Sequence, residues 1–277
     1  MTTRTPTGRR RRLGAELRRL REAAGLTIDR VAEELECSPS KVSRIETGQV
    51  SATPRDVRDM LGLYRVDDDR LEAMVQVARE ARQRGWWQKF VDVPDGVPAY
   101  VGLETAATSI DMYMALLVPA LLQTPDYARA VIAAVRPDLP PSEIGRRVEL
   151  RLRRQELLDQ ERPPRMRVLL DDTVLRRPVG GPGVMAAQRR RLLADADRPA
   201  VTIQVLEAGA GAHAGMDGPF TIFGFPAPAE RDVVALDSAA DALYLEGPED
   251  VARYRRVFEL LLPAARPPED SAAIIRP

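Results

Sequence analysis

Residues 25–48 read GLTIDRVAEELECSPSKVSRIETG, and this stretch decides the architecture of the first third of the chain. Leu26, Val31, Ala32, Leu35, Val42 and Ile45 are its apolar positions, spaced as the inner face of two short helices. Thr27 stands where a side-chain oxygen would cap the first helix. Ser38-Pro39 opens the second with a serine cap and then proline at the first helical position, where a missing N–H costs nothing. Glu36-Cys37 is the tight turn between them. Thr27, Ser38, Ser40, Lys41, Ser43 and Arg44 fall at helix starts or on the outer face.

Working outward, Leu13, Leu17 and Leu20 recur at helical spacing and predict a preceding helix over 13–24, ended by Gly25. Thr53-Pro54 repeats the cap-plus-proline signal and opens a fourth helix to about Leu63. Asp67–Asp69 begin a fifth, carrying Leu71, Met74, Val75 and Ala78. Five short helices over 13–84 predict an all-α domain. Residues 1–12, polar and then arginine-only over Arg9–Arg12, are expected to be a flexible basic arm.

The composition changes at Gly85, followed by Trp86 and Trp87, the only tryptophans, and by a Pro-, Gly- and Val-rich stretch. Beyond it the periods are mixed. Residues 166–172, 201–207, 219–225, 232–237 and 242–246 read as strands, and 108–118 as a strand in preference to its alternative, a buried helix. Residues from Thr124-Pro125 to Val135, 142–160, 184–196 and 249–264 read as helices. Paired strands beside segregated helices predict an α+β domain over 85–268 with a mostly antiparallel or mixed sheet, and 269–277 as a tail.

The chain has 277 residues, 44% hydrophobic and 30% charged, an ordinary globular composition. It has no apolar run of membrane-spanning length and no apolar core behind its basic start, so neither a membrane span nor a secretory leader is expected. A lone Cys37 fits a reducing, cytoplasmic setting. The formal net charge of zero hides an asymmetry: residues 1–65 hold fourteen Arg or Lys against nine Asp or Glu. A basic head suits nucleic acid, because neutralised phosphates release their counterions.

The helix pair points the same way. In a helix-turn-helix the second helix presents its first turns to base edges in the major groove, while the first crosses the backbone. Ser40, Lys41 and Arg44 are the outward residues of those turns. An arginine can bind guanine O6 and N7 together, worth about 1–3 kcal/mol of discrimination. Thr27, Ser38, Ser43, Thr47, Ser51 and Arg55 are candidate phosphate contacts.

Residues 13–65 resemble the Xre, or phage-repressor, helix-turn-helix family in LRRLREAAGLT, in SPSKVSRIETG and in their spacing. The resemblance implies a recognition helix with Ser40, Lys41 and Arg44 as readers, a dimer on a two-half-site operator in double-stranded DNA, and an internal ion pair between Arg21 and Glu46. The chain departs from the family at Ile28, often Gln, and at Glu36, often Gly, which would be unfavourable at positive φ. Beyond Trp86-Trp87, YVGLE, LVPALLQTPDYARAV, VELRLRRQELL, RRPVGGPGVM and LYLEGPEDVARYRRVF resemble the C-terminal domain of actinobacterial WhiJ-like regulators, with Ala120 where Gly is common. That resemblance implies a DNA-binding regulator, often encoded beside a small partner protein; the reading for the whole chain is a homodimeric regulator whose body senses a small-molecule effector or a small protein encoded by a neighbouring gene. Its alternative is an antitoxin-like protein that binds such a partner and autoregulates its operon.

Signs of chemistry are few. His213 sits alone in a glycine-rich turn, short of a metal site's ligand set. Asp171-Asp172 end a strand and read better as a turn than as acid/base carboxylates. VGGPGVM lacks a P-loop lysine. No enzyme, metal or cofactor is expected. Trp86, Trp87, Tyr113, Tyr127 and Phe220 are the candidate lining of an apolar effector pocket, with a plain core as the alternative.

Overall fold

The computed structural model describes residues 6–48, 50–81, 96–226, 232–237 and 242–276. They form two compact units.

The first unit holds five helices: α1 (Pro6–Ala23), α2 (Ile28–Glu34), α3 (Pro39–Glu46), α4 (Pro54–Leu63) and α5 (Asp68–Ala81). Four starts carry side-chain caps, that of α5 by Asp67 Oδ1, which accepts from Arg70 N at 3.0 Å. Thr27 Oγ1 accepts from Arg30 N, Ser38 Oγ from Lys41 N, and Thr53 Oγ1 from Asp56 N. Asp56 answers by accepting from Thr53 N at 2.8 Å, completing a capping box at α4. One core joins all five helices: Leu13, Leu17 and Leu20 from α1, Val31 and Ala32 from α2, Val42 and Ile45 from α3, Val57, Met60 and Leu61 from α4, and Met74, Val75 and Ala78 from α5. α1 starts at Pro6 instead of Leu13, so Arg9–Arg12 belong to helical backbone and not to an extended arm. Proline is tolerated in a first turn, and nothing between Pro6 and Leu13 breaks a helix.

α6 (Gly96–Ala106) follows, in the Pro-, Gly- and Val-rich stretch where no helix is expected from the sequence. Pro98 falls in its first turn, where no intrahelical N–H bond is lost.

The second unit is built on a six-stranded mixed sheet in the order β3-β2-β1-β4-β5-β6. Its strands are β1 (Ser109–Met114), β2 (Arg165–Asp171), β3 (Val201–Leu206), β4 (Phe220–Gly224), β5 (Val233–Asp237) and β6 (Ala242–Leu245). β1, β2 and β3 run parallel, and β4 turns antiparallel on the other side of β1 and leads the antiparallel run β4-β5-β6. The parallel strands need helical crossovers. α7 (Pro125–Val135) and α8 (Pro141–Gln155) lie between β1 and β2, and α9 (Asp172–Arg176) and α10 (Pro182–Ala196) between β2 and β3. α8 stops at Gln155 and tightens into a 3-10 turn to Asp159, short of the single helix expected to residue 160.

α11 (Pro248–Leu261) covers the face that Tyr113, Leu169, Phe220 and Val234 present, with Phe258 and Leu261 inserted. An ionic joint fixes it there. Asp111 of β1, 1% exposed, receives Arg167 from the neighbouring register position of β2 at 2.7 and 2.8 Å, and Arg255 of α11 at 3.4 Å. The expected tail is in large part a helix, α12 (Pro268–Ile275). It closes the β3 edge: Arg266 N donates to Val205 O, and Val205 N donates to Ser271 Oγ. An edge covered in this way offers no template for another strand.

Candidate nucleic-acid interface

α3 is the centre of the candidate interface, and its position is set from behind. Arg21 of α1 grips Glu46 at the end of α3 with two bonds, Nε to Oε1 at 2.7 Å and Nη2 to Oε2 at 3.0 Å. Its Nη1 donates to the Leu26 carbonyl at 2.7 Å, so one guanidinium ties together α1, the turn before α2, and the end of α3. Both side chains are buried, and the bond to Glu46 holds the Arg21 pKa above its ordinary range. A two-point pair of this kind fixes geometry as well as distance. The Tyr64 hydroxyl lies buried in the same region, and burial first, then the Glu46 charge, pushes its pKa up.

Gly14 completes the brace. A Cβ built on it would sit 2.5 Å from both the Ile45 and the Glu46 carbonyl oxygens, so α1 packs directly on the backbone at the end of α3. Sequence reasoning missed this residue; its only signal was a glycine inside a strongly periodic helix, where it costs about 1 kcal/mol against alanine.

Ser38 and Ser40 at the start of α3, and Arg44 in its last turn, are exposed. Among the described residues no ion pair engages Arg44. Lys41 differs. Its Nζ donates to Asp56 Oδ1 at 2.8 Å, across to the first turn of α4. The bond to Asp56 raises the Lys41 pKa. Burial raises that of Asp56, but the bonds from Lys41 and Thr53 outweigh it and leave it lowered. Asp56 was not singled out in the sequence, because a contact fifteen residues away has no local signature.

The candidate phosphate contacts divide. Thr27 and Arg55 are exposed, and Arg55 leans on Asp59 at 3.7 Å. Ser43 is half-buried. Thr47 Oγ1 donates back to the Ser43 carbonyl at 3.0 Å. Ser51 does not face outward: its Oγ is buried and, among the described residues, without a hydrogen-bond partner, which removes it as a surface contact. Ile28, where the family often has a glutamine, packs partly buried against the helical core. Glu36 takes φ +48°, the left-handed conformation that favours glycine.

Residues 12–74 match a family described as a helix-turn-helix domain, and residues 97–277 match the family described as a domain of unknown function, DUF5753. The chain belongs to the DUF5753 family. No curated protein and no solved structure matches it. The helix-turn-helix head is that of a DNA-binding regulator. Among the described residues no helix is long and apolar enough to cross a membrane.

Within the DUF5753 domain the aromatic residues considered for an effector pocket do not form one lining. Tyr113 and Phe220 meet across β1 and β4 with ring centroids 6.1 Å apart, both nearly fully buried beneath α11. Burial and the neighbouring Asp171 push the Tyr113 pKa up to about 12. Tyr127 lies elsewhere, fully buried on α7, its hydroxyl oxygen accepting from Val118 N at 3.2 Å. Trp86 and Trp87 lie outside the described residues. The three described rings are packing elements, because each is already filled against its neighbours.

Around Tyr127 the LVPALLQTPDY segment is stapled by three buried glutamines. Gln123 donates to the Val118 carbonyl at 2.6 Å, and Gln155 to those of Ala120 and Gln123 at 3.0 and 2.8 Å. Gln188 donates to Leu122 O and accepts from Thr124 N, each at 2.7 Å. Asp171 caps α9 by accepting from Thr173 N at 3.0 Å. Asp172 is buried and bonded to Arg176 and to Ala208 N. His213 Nδ1 accepts from Gly215 N within its own turn. Among the described residues no group of three His, Cys, Asp or Glu could hold a metal.

Proposed function

We propose that the protein is a sequence-specific transcription regulator of the Xre type, similar to the WhiJ-like regulators, that works as a homodimer in the cytoplasm. α3 enters the major groove, and Ser40 and Arg44 read base edges from its first turns. Thr27, Ser38 and Arg55 meet phosphates on either side. In a dimer two such heads engage half-sites about 34–36 Å apart. The DUF5753 domain carries the signal: a small molecule or small protein that prefers one arrangement of the heads shifts operator affinity by the difference in its own binding.

One observation carries this reading: α3 is capped at its start, clamped at its end by Arg21 and Gly14, and leaves Arg44 exposed and free of any ion pair among the described residues. Side chains on a rigid element reach a groove with little ordering cost. Selection of bound duplexes from a random-sequence library tests it. The wild-type protein should enrich a two-fold-symmetric site, and Arg44→Ala should relax preference at one position per half-site, at a cost of about 1–3 kcal/mol. An unchanged profile removes Arg44 from the readers, and no enrichment by the wild-type protein sinks the proposal.

A further inference from the structure

The Lys41–Asp56 contact stands apart from the other charges on this face. Asp56 has a local role of its own: its Oδ2 accepts from Thr53 N at 2.8 Å and from Thr53 Oγ1 at 2.7 Å, and so helps to start α4. That role leaves a carboxylate beside the first turn of α3, the surface that would meet DNA. A duplex carries one negative charge per ~1.7 Å of axis. Screening at physiological salt acts over ~8 Å, too far to hide a carboxylate at the contact itself. The second oxygen, Oδ1, is taken by Lys41 Nζ at 2.8 Å, with the lysine side chain 42% and the aspartate 19% exposed. The next acidic group along α4, Asp59, has its own arginine in Arg55.

We propose that Lys41 is a charge-masking residue and not a base reader: its ammonium remains on Asp56 when DNA is bound, cancels the carboxylate of the α4 capping box, and leaves base readout to Ser40 and Arg44. The inference rests on the DNA-binding reading above. It makes a double substitution less harmful than a single one. With Lys41 gone, Asp56 faces the phosphates unmasked; with both charges gone, the surface is neutral again, as it is in the wild type.

The test uses the full chain and the duplex that the wild-type protein selects from a random library, with affinity measured across a salt series. Lys41→Met should lose about tenfold or more at low salt. Lys41→Met with Asp56→Asn should return to within about threefold of wild type, since asparagine keeps an oxygen for Thr53 N. Asp56→Asn alone should bind at least as tightly as wild type and steepen the salt slope by about one, because it frees an ammonium for a phosphate. The base-preference profile should be the same for all three. Lys41→Gln serves if the methionine variant melts below the assay temperature. Equal losses for the single and double variants, or altered preference at one operator position on changing Lys41, would show that the lysine touches DNA and overturn the inference. Failure of the wild-type protein to bind any duplex in a salt-dependent way would instead remove the DNA-binding reading on which it rests.

Discussion

Replacing Gly14 with alanine tests the brace behind α3 by the sign of its effect. In an exposed helix, glycine to alanine stabilises by about 1 kcal/mol, because alanine loses less backbone entropy on folding. At Gly14 the new methyl would stand 2.5 Å from two carbonyl oxygens of α3, where ordinary contact is about 3.5 Å. Backbone cannot swing away as a side chain can, so α1 and α3 must separate by about 1 Å. Overpacking of this kind costs about 1–3 kcal/mol. Set against the propensity gain this leaves a net cost of up to about 2 kcal/mol, so Gly14→Ala should destabilise the head, with a fall of about 4–8 °C in Tm per kcal/mol for a domain of this size. Gly62, in α4 with open space around its Cβ position, supplies the control: Gly62→Ala should raise stability by up to about 1 kcal/mol. Thermal denaturation, with hydrogen exchange of the α3 amides to report on the head itself, measures both. A rise in stability for Gly14→Ala would mean that α1 does not pack on the α3 carbonyls, and the account of how the recognition helix is held would fail.

Glu36→Gly should stabilise the head by about 1 kcal/mol by relieving a left-handed non-glycine residue in the turn before α3, and a lower Tm in denaturation would refute it. Gln188→Leu strips partners from Leu122 O and Thr124 N and should cost about 1–3 kcal/mol for each group left unmet, visible as accelerated exchange of the Thr124 amide. Asp56 titrates below its ordinary value of 3.8 in the folded chain, so its contribution to stability is complete above that value and is lost as pH falls through the lower folded one. An acid denaturation series should accordingly be flatter at its acid end for Asp56→Asn than for the wild type; identical curves would mean that the aspartate gains nothing from its bonds.

What could be read from the chain was what local chemistry writes down. Thr27, Ser38, Thr53 and Thr124 each announce a helix because a cap acts within four residues, joined at Ser38, Thr53 and Thr124 by a following proline, and all four cap in the structure. The six strands were legible from their apolar runs. Elements whose starts look like loops were not: α6 opens on Gly96-Val97-Pro98, and α12 on Pro267-Pro268 after a chain that seemed to have ended its helices. α9 was missed because five residues hold too little periodicity. The candidate site shows the same division. Arg44 and Ser40 stand out as polar positions on a capped helix, whereas Gly14, Asp56 and Gln188 take their roles from partners 15 to 66 residues away, and no window of sequence contains both halves. The aromatic residues misled because ring content alone does not distinguish a pocket from a core; Tyr113, Tyr127 and Phe220 are core.

The three glutamines that staple residues 118–124 carry no charge. Their bonds run between side-chain amides and backbone groups, save that Gln123 Oε1 accepts from Arg151 Nη1 at 2.7 Å, and all three side chains are buried. Contacts to phosphate weaken steeply as salt rises, whereas a buried joint of this sort is screened much less. Release from DNA at high ionic strength is thus a separate event from loosening of the body, and a salt jump should strip the protein from an operator while leaving the DUF5753 domain intact and ready to rebind when the salt is diluted.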